Sequence, residues 1–440
     1  MLARLNLTSS RLLLVIFGAA LALRVAAVLL VPMPDIVSST ESGVTALNLV
    51  QGRGYIFDFY GMRPDNPLQS FMPPLFTYLL AFCLRFFNHP ALAFGLIQAV
   101  LASLTVMLIY FIAVQLSSDR VAGYASAIGV AFYPVYIVMC AYPFSMILTT
   151  FLVALFVLIA VQLQQQWTLR LAALAGVVLG LAVLVRPMLL GLLPLLLIAL
   201  WLNQPGTKTY VFKVGLVSVA ATLLMLVPWT IRNYLAQGQV IFVSTNGGFT
   251  FWVGNNPFTT GSGFEVHAAQ LDQFLGVPHD PRQSELIVDL RPYALPQEVQ
   301  RQVSTLDEIT LDQMLYRAGF QFIQTEPARW WPLLLEKIKG FLWFRSNIGS
   351  FYTEAWTRYY QILYAALIGL AVPGLALTLR QWRKYALLYL MMSFYALTYI
   401  MFHVQTRFRW EIELYLIMFA ALTVSGLYHR IRLHGRQMDA

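Results

Sequence analysis

The dominant pattern along the chain is a succession of long apolar runs separated by short polar breaks. The runs lie at Leu12–Val31, Ala91–Leu116, Val121–Cys140, Ser145–Leu163, Leu171–Val185, Met188–Leu202, Val211–Pro228, Tyr360–Leu379, Tyr385–Phe402 and Leu414–Tyr428. A helix rises about 1.5 Å per residue, so about 20 apolar residues cross a hydrocarbon core of roughly 30 Å. In lipid every backbone N–H and C=O must find a partner inside the protein, which leaves helices or closed barrels as spanning structures. The pattern therefore predicts an all-α polytopic membrane protein with about ten transmembrane helices. A further run, Pro73–Phe87, is short and opens with Pro73-Pro74. It is expected to be re-entrant or to lie along the interface.

Polar breaks assign the sides. The segments Ser117–Arg120, Gln164–Arg170, Asn203–Lys213, Arg380–Lys384 and the tail His429–Arg436 all carry Lys or Arg. By the positive-inside rule they are expected to face the cytoplasm, along with both termini, in a cell (inner) membrane. Lys208, Arg383 and Arg432 mark that side; Asn255 and Asp289 mark the other. The first run follows Arg4 and Arg11 but is too long for a signal peptide and lacks an A-x-A site, so it reads as a retained first helix. Two extracytoplasmic loops remain, from Pro32 to about Phe87 and from Asn233 to about Arg329. The second holds half of the chain's twenty acidic residues. Its stretch Asp307–Trp331 has helical spacing at Leu311, Met314, Leu315, Ala318 and Phe322. The mixture of Trp330, Trp331 and Trp343 with Lys337 and Lys339 predicts an interfacial helix. The resulting division is an N-terminal transmembrane module at 1–230 with the first outer loop at 32–87, an extracytoplasmic loop domain at 231–345, and C-terminal transmembrane helices at 346–440.

Composition supports lipid as the solvent. Of 440 residues 59% are hydrophobic and 11% charged, against about 25% charged in soluble domains. The net charge of +9 would suit nucleic acid, but its placement in loops between apolar runs argues for no nucleic-acid partner. Cys83 and Cys140 both lie in apolar runs and read as packing thiols. Neither the histidines nor the cysteines show metal-ligand spacing. No Walker A, Rossmann or G-x-S-x-G pattern occurs, so nothing points to a nucleotide or a serine nucleophile.

Candidate chemistry comes from acids and arginines. The outward acids of the N-terminal half are Asp35, Glu41, Asp58 and Asp65, all in the first loop. Each alone reads equally as a solvated loop charge. Arg24 sits within the first apolar run, a costly place unless it snorkels outward. Arg186, Arg232, Arg407 and Arg409 stand at the ends of apolar runs, all placed at the outer face by the topology above. Guanidinium groups bind phosphate oxygens in bidentate fashion, so this set suits a lipid phosphate, with interfacial anchoring as the plainer role. Asn246 and Asn255 belong to Gly-rich turns where the backbone could approach a sugar.

Several of these segments form a string that resembles bacterial glycosyltransferases of family 39, the protein-O-mannosyltransferase-like group with the GT-C fold. Ala46-Leu47-Asn48-Leu49 followed by Gly52-Arg53-Gly54-Tyr55 resembles the first-loop pattern, and Met72-Pro73-Pro74-Leu75 its Arg-Pro-Pro-Gly element. Leu174-Ala175-Gly176 through Gly180 to Arg186-Pro187 is similar to the mid-chain signature. Pro228–Tyr234, Ser244–Gly248 and Gly254–Pro257 form the most specific stretch, and Arg407-Phe408-Arg409 resembles the Arg-Tyr-Arg before the last span. The resemblance implies an inverting hexosyl- or pentosyl-type transferase of the cell envelope. Its donor would be a sugar on a polyprenyl phosphate drawn from the membrane lipid, its acceptor an unspecified glycan, lipid or protein. It names no cofactor, and a divalent metal stays open. A first-loop carboxylate would deprotonate the acceptor. Arg24, Arg186, Arg232, Arg407 and Arg409 would hold the donor phosphate, and Arg53, Asp58, Asp65, Asn246 and Asn255 the substrates.

The family's catalytic Asp stands eight residues before the alanine matching Ala46, where this chain has Ser38. Either a nearby acid serves or the activity is altered. Glu41 is ranked first because it keeps register with Ala46–Leu49 at the first turn of an expected helix from Thr40 to Gln51, capped by Thr40. Asp35 is ranked second. The competing classes are a lipid-linked-sugar transporter or flippase, which Arg24 would suit, and a non-catalytic family member. The long second loop and the absence of an inverted repeat speak against transport.

Overall fold

The computed structural model describes residues 7–37, 40–203, 208–261, 295–344 and 354–438. Helices occupy each of the ten expected apolar runs. By length and apolarity, six helical stretches among the described residues can cross a membrane, or seven if one bent pair counts as a span. The difference from ten has local causes. Arg120–Phe132 is broken from Pro134–Ala141 by a 55° bend. Proline has no N–H to continue a helix and pushes the preceding residue out of helical geometry; Tyr133 is accordingly extended. Pro187 likewise divides Leu169–Val183 from the 3-10 turn Pro187–Gly191 and the helix Leu192–Asn203. The 15 and 12 residues of these two helices fall short of a bilayer's thickness. The stretch Ala355–Met401 joins two expected runs into 47 residues, about 70 Å at 1.5 Å per residue, interrupted by the 3-10 turn Leu379–Gln381.

The five basic breaks gather at one end of the bundle. Gln165 Nε2 donates to the Gln115 carbonyl at 3.5 Å and the Tyr385 hydroxyl to the Leu116 carbonyl at 3.1 Å. Trp167 meets Tyr210 with ring centroids 5.3 Å apart. Asp119 takes a short hydrogen bond from Ser425 and lies 3.3 Å from His429. The loop between Phe86 and Pro90 belongs to the opposite end, as does Leu184, whose carbonyl accepts from Leu75 N at 3.1 Å. Pro74–Phe86 thus starts and finishes at one end, and its 13 residues are too few to cross. This matches the re-entrant or interfacial expectation.

Small residues and hydroxyls set the closest helix contacts. Leu169–Val183 packs on Lys208–Gln237, where Ser218 Oγ donates to Ala172 O at 3.0 Å and Thr222 Oγ1 to Gly176 O at 3.1 Å. A Cβ on Gly176 would collide with the Ser218 carbonyl oxygen. Without a hydrophobic drive inside lipid, such close approach and hydrogen bonding hold helices together.

At the end opposite the basic breaks, the two long loops build one core. Phe57, Phe59, Leu68 and Phe71 of the first pack with Phe249, Trp252, Leu311 and Leu315 of the second. The expected helix appears as Glu308–Thr325, capped by Asp307, with Leu311, Leu315 and Phe322 inward. Glu308 joins the two loops: its carboxylate accepts from Gln69 N at 2.7 Å, Ser70 N at 2.9 Å, Gln237 Nε2 at 2.6 Å and the Thr245 hydroxyl. Arg63 adds bonds to the carbonyls of Val303 at 2.5 Å and Leu306 at 2.7 Å. The helix Pro327–Leu342 follows, with Trp331, Leu335 and Leu342 exposed on one face and Lys337, Gly340 and Phe341 buried on the other. His267, His279 and Asp289 lie outside the described residues.

Candidate active site

A cavity of about 500 Å³ opens where the two long loops meet the apolar helices. Glu41 lines it from the first turn of the helix Glu41–Val50. Thr40 caps that helix, its side chain accepting from Gly43 N at 3.0 Å, and a capping hydroxyl of this kind contributes about 1 kcal/mol. Gly43 lets the turn sit against the carbonyls of Ile36 and Val37, which a Cβ would strike. Opposite Glu41, the Tyr60 hydroxyl donates to Glu41 Oε1 at 2.7 Å. Tyr60 stands in an unusual turn: Phe59, Tyr60 and Gly61 all have positive φ, at 51°, 59° and 79°. Left-handed geometry costs a side-chain-bearing residue about 1–2 kcal/mol. Phe59, fully buried, offsets it by packing edge-on against Phe57, Phe71 and Phe249.

The basic wall comes from two chain breaks. Arg186, extended between Leu184 and Pro187, donates to Glu411 Oε1 at 2.8 Å, to Ser145 Oγ at 3.4 Å and to the Tyr399 hydroxyl. Arg407 belongs to the 3-10 turn Thr406–Arg409. Its guanidinium lies 4.5 Å from the Phe144 ring centre and 5.7 Å from that of Phe408. Met72, Pro73 and Ser145, from motifs singled out in the sequence, also line the cavity.

Asn246 forms the roof just before the helix Gly247–Gly254 and accepts from Ser244 Oγ at 3.1 Å. Behind it, Gly248 N donates to Asp312 Oδ1 at 2.6 Å. Burial pushes the Asp312 carboxyl up to about 6, against the pull of that hydrogen bond. Burial and Asp312 together push the neighbouring Tyr316 phenol up to about 12. His403, on the floor, is pushed down to about 3 by burial and by the positive charges of Arg407 and Lys337. The ring is therefore neutral at physiological pH.

The cavity selects among the residues singled out in the sequence. Glu41, Arg186, Arg407 and Asn246 line it; the others do not. Asp35 is exposed, with its Oδ1 accepting from Val37 N at 3.2 Å. Arg24 does not snorkel: fully buried, it donates to the carbonyls of Ala20, Val130 and Ala131 at 3.0 to 3.1 Å. Two of these are end carbonyls of the helix broken before Pro134, which lack helical partners. Arg232 donates to the Gln69 carbonyl at 2.5 Å and stacks on Tyr55 and Trp229 at 5.1 and 4.8 Å. Arg409 is sealed in a cage with Glu413 at 3.4 Å. Asn255 is buried and bonded to Lys337 Nζ at 2.9 Å and Trp330 Nε1 at 3.2 Å. Arg53 is exposed, 3.4 Å from Asn48 Oδ1; Asp65 is exposed and Asp58 half-buried, both away from the lining. Ser38 lies outside the described residues.

Sequence reasoning missed Tyr60, His403 and Glu411. Glu411 carried a signal: with Glu413 it opens the last apolar run, and carboxylates there require partners. Among the described residues no cluster of three His, Cys, Asp or Glu is arranged for a metal ion.

Comparison with known proteins bears on the family and the fold. Residues 71–231 match the family of dolichyl-phosphate-mannose-protein mannosyltransferases. Among curated proteins no relative matches. Among solved structures, the chain is similar to an Archaeoglobus fulgidus oligosaccharyltransferase tethered by a disulfide to an acceptor peptide with the NVT sequon. That match has a TM-score of 0.53 and 14% identity, covering 96% of this chain and 50% of the other. The same enzyme in complex with zinc and sulfate aligns with a TM-score of 0.54 and 13% identity, covering 96% and 49%. The chain therefore spans about half the length of that enzyme. The resemblance read from the motifs is borne out: this is a helical membrane protein of the GT-C fold, and its residues 71–231 carry the match to the dolichyl-phosphate-mannose-protein mannosyltransferase family.

Proposed function

We propose that the protein is an inverting glycosyltransferase. It moves a sugar from a polyprenyl-phosphate donor to an acceptor hydroxyl on the outer face of the membrane, with the basic loops and both termini cytoplasmic. The observation that carries this reading is the meeting of one carboxylate, Glu41, with two arginines, Arg186 and Arg407, in a single cavity at the end of the bundle away from the basic loops. A lipid-borne donor reaches such a cavity sideways, so no nucleotide site is needed.

Glu41 takes the proton of the acceptor hydroxyl, whose oxygen then bonds to the anomeric carbon from the face opposite the phosphate. The bond from that carbon to the phosphate oxygen breaks, and its electron pair leaves with the lipid phosphate. Arg407 and Arg186 stabilise the charge that develops there. Arg186 is paired with Glu411 at 2.8 Å. Asn246 offers amide groups to sugar hydroxyls. The structural neighbour carries a peptide acceptor, which places protein beside glycan and lipid among the acceptors to be tried.

The test is incubation of the purified full chain with radiolabelled polyprenyl-phosphate sugars and membrane extract. Label appearing on a non-lipid or new lipid acceptor supports transfer. Translocation of the lipid-linked sugar without transfer supports a flippase. Binding of the donor with neither event supports a non-catalytic member, the reading that Ser38 at the family's Asp position favours.

A further inference from the structure

We infer that Tyr60 is a positioning residue of this site: its phenol fixes the Glu41 carboxylate in the orientation that accepts the proton. The inference rests on the glycosyltransferase reading above and deepens it. Three observations carry it. Tyr60 and Glu41 line the same cavity, and the hydroxyl donates to Glu41 Oε1 at 2.7 Å. Tyr60 approaches from a different segment, 19 residues along the chain, so the contact is tertiary and does not come with the helix. The phenol is also aimed by a backbone that would otherwise relax. Phe59 and Tyr60 occupy left-handed φ of 51° and 59° before Gly61 at 79°, and strain of this kind persists only where the surroundings over-determine it.

The surroundings here are the buried Phe59 ring and the backbone bonds Met62 N to Phe59 O at 3.3 Å and Arg63 N to Asp58 O at 2.9 Å. Arg63 is anchored in turn to the second outer loop through Val303 and Leu306. The second loop thereby holds the turn that aims Tyr60, and Tyr60 holds Glu41. A hydroxyl donated to one carboxylate oxygen restricts rotation of the carboxylate. It moves no proton itself.

The experiment is a double-mutant cycle on the purified full chain, scored in the radiolabelled transfer assay with melting temperature measured in parallel. Tyr60→Phe removes only the hydroxyl and keeps the ring. It is expected to lower kcat about 10- to 100-fold, the scale of a small misplacement of a reacting group, with donor KM and melting temperature unchanged. In the Tyr60→Phe, Glu41→Gln double variant the loss should equal that of Glu41→Gln alone, because a residue acting through Glu41 has nothing left to position. Losses that multiply in the double variant, or a Tyr60→Phe enzyme at wild-type kcat, overturn the inference. A drop in melting temperature that accounts for the lost activity overturns it as well. Failure of the underlying reading looks different: Glu41→Gln itself then keeps its activity.

Discussion

Two arginine–glutamate pairs meet at the head of the last helix and serve different ends. Arg186 and Glu411 lie 2.8 Å apart, with the arginine side chain 14% exposed at the cavity wall. Arg409 and Glu413 lie 3.4 Å apart at 2% and 0% exposure. The second pair is enclosed by aromatic rings: Phe344 and Tyr364 lie 4.4 and 4.2 Å from the guanidinium, while the hydroxyls of Tyr360 and Tyr133 donate to Glu413 at 2.7 and 2.8 Å. A caged pair has no room for substrate, so its contribution is to the fold. The pair at the cavity wall borders open space through Arg186. Arg407 and Arg409 are separated by the same logic. In a 3-10 turn of three residues each step rotates about 120°, so two residues apart along the turn Thr406–Arg409 point different ways. One faces the cavity and the other the cage.

The contrast can be broken most severely at the cage. Arg409→Ala leaves Glu413 buried without its cation. Removing one partner of a buried pair costs about 3–5 kcal/mol, so the variant should melt far lower or fail to accumulate in detergent. At the cavity wall the effect should change kind. Arg407→Lys keeps the charge but loses the planar fork; transfer should fall about tenfold or more at an unchanged melting temperature. Arg232 sharpens the division, because its carbonyl bond and its stacking on Tyr55 and Trp229 lie outside the cavity. Arg232→Lys should lower the melting temperature modestly and leave donor KM unaltered. The smallest effect belongs to Asp312. Its carboxyl is raised to about 6 by burial, so the folded state holds the proton more tightly than the unfolded chain does. That contribution to stability is complete below the unfolded value near 4 and is lost as pH rises through 6. Asp312→Asn should therefore melt higher than the native protein at pH 7.5, and the gap should narrow as pH falls through 6 and close only below about pH 4. A constant gap across that range would place the effect elsewhere.

Much of this arrangement was legible in the sequence. Apolar runs located the helices because lipid forces backbone pairing within the protein, and the charge pattern located the shared basic end. Thr40 and Glu41 were legible as cap and first turn because capping is local. Less legible was anything that depended on which way a side chain points after a chain break. Arg24 looked free to snorkel, yet the break at Pro134 released carbonyls that captured it. Arg232 and Arg409 carried the same motif-level signal as Arg186 and Arg407, and only the packing of aromatic rings around them separated the two sets. Tyr60 gave no signal, since its contact depends on a left-handed turn at residues with side chains, which composition does not disclose. Hydropathy alone also did not disclose the bend at Pro134 within Val121–Cys140, or that the helices on either side of Pro187 hold only 15 and 12 residues.

Transfer by the proposed mechanism depends on Glu41. The direct measurement is transfer of radiolabelled sugar from a polyprenyl phosphate by the purified Glu41→Gln protein, with its melting temperature taken alongside. Loss of a general base predicts a fall of about 10²–10⁴ in rate with the melting temperature unchanged. Transfer at a rate close to that of the native protein would contradict the account and move the base to another residue.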